Sequence, residues 1–262
     1  MVPVSEKSAL EQLLLRDRAV TLIALLTASL LAWAYLWFGA GMDAPSMSMP
    51  NMAMPMASAW TPSYFAVMLA MWGIMMAAMM LPSAAPMILL FATIERRRRG
   101  ASPFAATAIF AAAYVVVWMG FSVTAVVLQW QLDRLTMLSP TMAATSALLS
   151  AIALIAIGIY QFTPWKQACL RHCRSPLEFI TWHWNHGPFG MGLRHGVYCV
   201  GCCWMLMLLL FVGGVMNLLW VALVAAFILA EKTVPRGEWL SYGAGAALIG
   251  WGGWSVYAQM RL

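Results

Sequence analysis

The chain has 262 residues, of which 63% are hydrophobic and only 9% charged, with a formal net charge of +6. A soluble domain carries roughly 25% charged residues, so this composition excludes a water-exposed globule of this size. The positive charge does not point to nucleic acid either, because the basic residues lie between apolar runs with no soluble domain to present them.

Each bilayer crossing needs about 20 mostly apolar residues with satisfied backbone hydrogen bonds, and long uninterrupted runs favour helices over a barrel. The expected fold class is therefore all-α, a polytopic transmembrane helical bundle forming one integral membrane domain over residues 1–262. The apolar run 19–38 follows a mixed charged segment and exceeds a signal-peptide core of roughly 7–15 residues, so it reads as an uncleaved first span. The predicted spans lie near 19–39, 63–94, 103–130, 143–162, 196–212, 216–231 and 240–258, about seven in all. Pro82 and Pro86 are expected to kink the second, which runs on toward Glu95, Arg96, Arg97, Arg98 and Arg99. Gly213 and Gly214 leave only a tight turn between the fifth and sixth.

With the N-terminus inside, cytoplasmic segments carry Lys7, Arg16, Arg18, Arg96, Arg97, Arg98, Arg99, Lys166, Arg171, Arg174, Arg194, Lys232 and Arg236, against Arg134 and Arg261 outside. The positive-inside rule then predicts a bacterial inner-membrane protein with a cytoplasmic N-terminus and a periplasmic loop at 42–60.

That loop is rich in methionine: Met42, Met47, Met49, Met52, Met54 and Met56. Thioethers are soft, neutral ligands that favour Cu(I), and alternate sulfurs of an extended M-x-M segment can close on one ion. The competing reading is a greasy loop on the bilayer surface. The second span continues the theme with Met68, Met71, Met75 and Met79, which fall within about 80° of one another on a helix. They are candidate ligands or, equally, adaptable packing residues.

The densest constellation comes later. His195, Cys199 and Cys202 are spaced four and three apart and share a helical face, with Cys203 about 80° away. Before them, Cys169 and Cys173 flank His172, with Lys166 and arginines nearby to favour thiolates. Thiolate and imidazole together suit Cu(I), with zinc or iron as alternatives. All five cysteines lie between 169 and 203 and all four histidines between 172 and 195. His183 and His186 are weaker candidates in a Trp-rich loop. Glu231 and Lys232 read as an interfacial, snorkelling pair. Asn217 is a helix cap or a path-lining residue.

These motifs resemble a bacterial family of predicted metal-binding integral membrane proteins. The likeness rests on Trp72, Met75, Met76, Met79, Met80, Pro82 and Pro86, on Glu95 through Gly100, and on Tyr160, Gln161, Thr163, Pro164 and Lys166. It continues through Cys169, Cys173, Arg174, Ser175 and Pro176, then Arg194, His195, Gly196, Cys199, Gly201, Cys202, Cys203 and Trp204. The resemblance implies a shared helical membrane fold and a metal site at the Cys and His positions, and no particular reaction.

The expected function is Cu(I) binding, transport or delivery, from the Met-rich loop along the Met stripe to the Cys/His cluster. Expected partners are the lipid bilayer, the metal ion, and a copper chaperone or other membrane subunits. An alternative is a membrane thiol oxidoreductase using Cys199 and Cys202; another is a metal-bearing subunit of a larger complex. No catalytic residues are assigned, and the sequence holds no phosphate-binding loop or nucleotide motif that would make it an ATP-driven pump.

Overall fold

The computed structural model describes residues 9–38, 60–139 and 141–261. Met47, Met49, Met52, Met54 and Met56 lie outside the described residues. Among the described residues ten α-helices follow one another: α1 Ala9–Trp37, α2 Pro62–Arg99, α3 Phe104–Arg134, α4 Ala147–Gln161, α5 Pro164–Arg174, α6 Pro176–His183, α7 Gly187–Met207, α8 Leu209–Gly213, α9 Leu218–Thr233 and α10 Gly237–Gln259. Among the described residues β-pairing is limited to an isolated bridge, Leu138 with Ala144. The all-α expectation holds.

Local chemistry sets the helix ends. Thr61 and Thr163 accept the backbone N–H of Tyr64 and Lys166, each followed by proline at the first helical position, where its missing N–H costs nothing. Asn217 likewise caps α9, its side chain accepting from Trp220 N at 3.2 Å. Gly100, at φ +66°, closes α2 in the left-handed conformation that glycine adopts without strain. The four arginines, expected to follow the second span, instead form its last helical turn, where positive charge complements the helix dipole. Arg96 turns inward and pairs with the buried Asp17 of α1. Pro82 cannot donate to the carbonyl of Ala78, and the hydroxyl of Ser29 on α1 does so at 3.0 Å.

Cross-helix contacts fix the relative directions. Asp17 meets Arg96 and Ser29 meets Ala78, so α1 and α2 are antiparallel. Trp72 reaches Gln129 while Phe91 stacks on Phe110, which sets α3 antiparallel to α2. Gly192 lies against Phe110 and Gly196 against Val117, so α7 runs with α3. Phe211 accepts from Ala144 N and Gly201 from Tyr160, making α4 antiparallel to the α7–α8 segment. Gly158 faces Gly245 and Ile249, while Gly252 faces Ala151 and Ile155, so α10 opposes α4 across a seam lined by glycine. Trp220 donates to Leu209 O and Lys232 to Cys199 Sγ, so α9 opposes α7. Helices α1, α3, α7 and α10 therefore run one way and α2, α4 and α9 the other.

Among the described residues, four helical stretches are long and apolar enough to cross a membrane: Glu11–Trp37, Pro62–Arg99, Phe104–Arg134 and Pro176–Gly213. Helices α4 and α5, bent by 63° at their junction, give a fifth if taken as one span. The other two expected spans correspond to α9, only 16 residues long, and to the Gly- and Trp-rich α10. The non-apolar stretch 161–195 is itself helical, holding α5, α6 and the start of α7.

Candidate metal site

Small residues bring α7 close to its neighbours. A β-carbon at Gly192 would sit 2.3 Å from Phe110 O, and one at Gly196 would sit 2.8 Å from Val117, so the backbones of α3 and α7 nearly touch. On the other side, Gly201 admits Cys169, whose Sγ lies 2.7 Å from the place a β-carbon would occupy. The Tyr160 hydroxyl donates to Gly201 O at 2.6 Å and ties α4 to the same turn.

The cysteines meet at this junction. Cys199, Cys202 and Cys203 are fully buried, and Cys169 and Cys173 are half-buried and packed against them. Between helices, Cys173 Sγ lies 4.0 Å from Cys202 Sγ. The thiols of Cys202 and Cys203 both donate to Cys199 O, at 3.1 and 2.9 Å. Cys199 has different company: Lys232 Nζ donates to its sulfur at 2.9 Å and to Ser83 Oγ at 3.1 Å, and the Tyr114 hydroxyl lies 3.1 Å from the same sulfur. All five cysteines are free thiols.

The remaining candidates lie around this cluster. Glu231 and Lys232 are not an interfacial pair, since both are buried and they serve separate centres. Glu231 forms an ion pair with Lys166 at 2.6 Å, supported by Ser241 and by a Lys166 bond to Gln161, while its second oxygen has no hydrogen-bond partner among the described residues. His195, on the expected face of α7, sits among Phe110, Tyr114 and Phe179, its ring centroid 5.4 Å from that of Tyr114 and its Nδ1 without a hydrogen-bond partner among the described residues. His172 stacks on Tyr198 at 4.2 Å and lines a cleft of about 380 Å³ with His183 and Phe179. Among the described residues, no three His, Cys, Asp or Glu side chains form a group that could hold a metal ion.

Met68, Met71, Met75 and Met79 are all buried along one face of α2. Met68 approaches Gln129 near one end of the bundle. At the other end of the stripe, Met80 O accepts from Tyr114, which also touches Cys199. The stripe thus reaches the level of the cysteines. Lys232, Ser83 and Tyr114 were not expected at the site; a lysine and a phenol facing apolar neighbours were the signals that could have found them.

The arrangement is that of a helical protein with a thiol-rich core, an ammonium on one sulfur and a thioether stripe running up to it. Residues 69–255 match the family described as PpoB2, copper chaperone, and the chain belongs to that family. No curated protein and no solved structure matches the chain. Its function is thus copper-related, and its long apolar helices are compatible with a membrane protein. The matched residues include the cysteines and most of the Met stripe, and exclude the Met-rich segment before α2.

Proposed function

We propose that the protein binds and passes on Cu(I) in the bacterial inner membrane, as one domain with its N-terminus in the cytoplasm. The Met-rich segment collects the ion outside, the stripe from Met68 to Met79 conducts it, and the cysteine cluster receives it. The alternation in helix direction supports seven crossings, with α5 and α6 lying at the cytoplasmic end beside the last turn of α2.

The observation that carries this reading is the 4.0 Å separation of Cys173 and Cys202 Sγ. At a metal–thiolate distance of about 2.3 Å, two sulfurs so placed subtend an angle of about 120° at a shared ion. That open, low-coordinate geometry with soft donors suits Cu(I) better than Zn(II), which takes four ligands. Cys199, one turn away, supplies a third sulfur once Lys232 moves off it. Cys169, Cys203, His172 and His195 then act around the ion rather than on it.

The test is copper content of the whole chain purified in detergent under reducing conditions. A Cys173→Ser, Cys202→Ser variant that keeps its helical content should lose most of the Cu(I) that resists a competing chelator. Undiminished copper in that variant would reject the site. A reversible disulfide with no copper would instead favour the thiol oxidoreductase.

A further inference from the structure

Gln129 of α3 is nearly fully buried at the end of the bundle that carries Trp60. Its amide is locked in one orientation, because the indole of Trp72 donates to Oε1 at 2.7 Å. The amide nitrogen is thereby turned onto two sulfurs, donating to Met142 Sδ at 3.1 Å and to Met68 Sδ at 3.5 Å. Thioethers are weak acceptors, so these two bonds compensate little of the cost of burying an amide. What the arrangement does achieve is to hold the sulfurs of α2 and of the α3–α4 connection against a common point.

The connection is built to bring Met142 there. Met142 sits at φ +56°, in the left-handed region that a side chain enters only under constraint. Its turn is clamped by Ser139 N to Ala143 O and Met142 N to Ser139 O, each 2.8 Å, and by Ala144 N to Phe211 O at 2.7 Å. Met142 is half-buried and Met68 buried, so the pair grades from surface to interior. Asp133, held by the Trp60 indole at 2.7 Å, adds a carboxylate one helical turn beyond Gln129.

We infer that Met68 and Met142 form a two-thioether receiving site for a soft monovalent ion, Cu(I), at the head of the Met stripe. Gln129 positions the two sulfurs and releases them as the ion arrives. The inference rests on the copper reading above and deepens it by naming the first ligands inside the bundle. Neutral thioethers accept Cu(I) without giving up a proton, and from Met68 the next sulfurs follow at Met71, Met75 and Met79, one helical turn apart.

The experiment uses the full chain in detergent with 13C-methyl methionine, and with Met47, Met49, Met52, Met54 and Met56 replaced by leucine. Ag(I), a redox-inert analogue, is added in steps. After the equivalents taken by the cysteines, the next equivalent should shift the Met68 and Met142 methyl signals, assigned from Met68→Leu and Met142→Leu. The double leucine variant should lose that equivalent, and Gln129→Leu should weaken it by about tenfold, as loss of an outer-shell partner does. Unmoved Met76 and Met80 methyl signals report an intact fold in each case. Met68 and Met142 signals that stay still while other methionines respond, or an unchanged equivalent in the double variant, would overturn the site. Loss of the cysteine equivalents alone would overturn the cluster and leave this site standing.

Discussion

Cys173 and Cys202, 29 residues apart in the chain, place their sulfurs 4.0 Å from each other across two helices, whereas on α7 the Cys202 thiol is turned onto the backbone carbonyl of Cys199. Mild oxidation of the full chain should therefore give a Cys173–Cys202 disulfide, and prior Cu(I) loading should prevent it. Peptide mapping under non-reducing conditions reads the pairing. A Cys199–Cys202 product would contradict the geometry and revive the C-x-x-C oxidoreductase.

The Lys166–Glu231 pair has no solvent exposure on either side chain. Removing one partner leaves an uncompensated buried charge, which costs about 3–5 kcal/mol, whereas removing both can be nearly neutral. Lys166→Met should thus lower the thermal midpoint in detergent sharply, and Lys166→Met with Glu231→Gln should recover much of it. A double variant as unstable as the sum of the two singles would mean that the charges do not interact.

Glycines in this fold divide by what surrounds them. A β-carbon at Gly192 would meet Phe110 O at 2.3 Å, while one at Gly253 meets nothing within 4 Å. Gly192→Ala should destabilise by about 1–3 kcal/mol through forced separation of α3 from α7. Gly253→Ala should stabilise by about 0.5–1 kcal/mol through reduced backbone freedom in the unfolded chain. Equal effects at the two positions, measured by thermal unfolding, would refute the close packing of α3 on α7.

Thiolate sites lose metal to protons, while thioether sites do not. Between pH 7 and pH 5 proton activity rises a hundredfold, so an ion on two thiolates should bind up to about 10⁴-fold more weakly. Sulfur sites built from Met68 and Met142 should hold their affinity over the same range. Chelator competition at the two pH values separates them, and a pH-independent affinity in a chain without the Met68 and Met142 sulfurs would count against thiolate ligation at Cys173 and Cys202.

Much of this architecture is written locally. Apolar runs locate α1, α2 and α3 because long helices in a low-polarity setting need only continuous hydrophobicity, and Thr61, Thr163 and Asn217 mark helix starts through their own side chains. The α5–α6 elbow is hidden because helices of 11 and 8 residues with polar faces resemble a loop in a hydropathy scan. The i, i+3, i+4 spacing correctly collects His195, Cys199 and Cys202 on α7, yet periodicity says nothing of what the opposing helix presents. Opposite His195 stand aromatic rings, opposite Cys199 an ammonium, and opposite Cys202 another thiol. Gln129 and Met142 escape notice for the same reason: a single amide in an apolar run gains meaning only through Trp72, Met68 and a turn in a conformation that the sequence does not advertise.

Three helices close on one another through these contacts. Lys166 of α5 holds Glu231 of α9; the next residue, Lys232, holds Cys199 of α7; and three residues further along α7, Cys202 faces Cys173, back on α5. Stiff bars joined end to end in a triangle cannot change shape unless a joint opens. In the proposed reading, an ion bound by Cys173 and Cys202 would close one joint of this triangle, whose other two joints are made by Lys232 and Lys166. Ion binding at one corner and the buried ion pair at another would then belong to a single mechanical unit, so that a variant at Lys166 or Lys232 should alter how firmly Cys173 and Cys202 are held together.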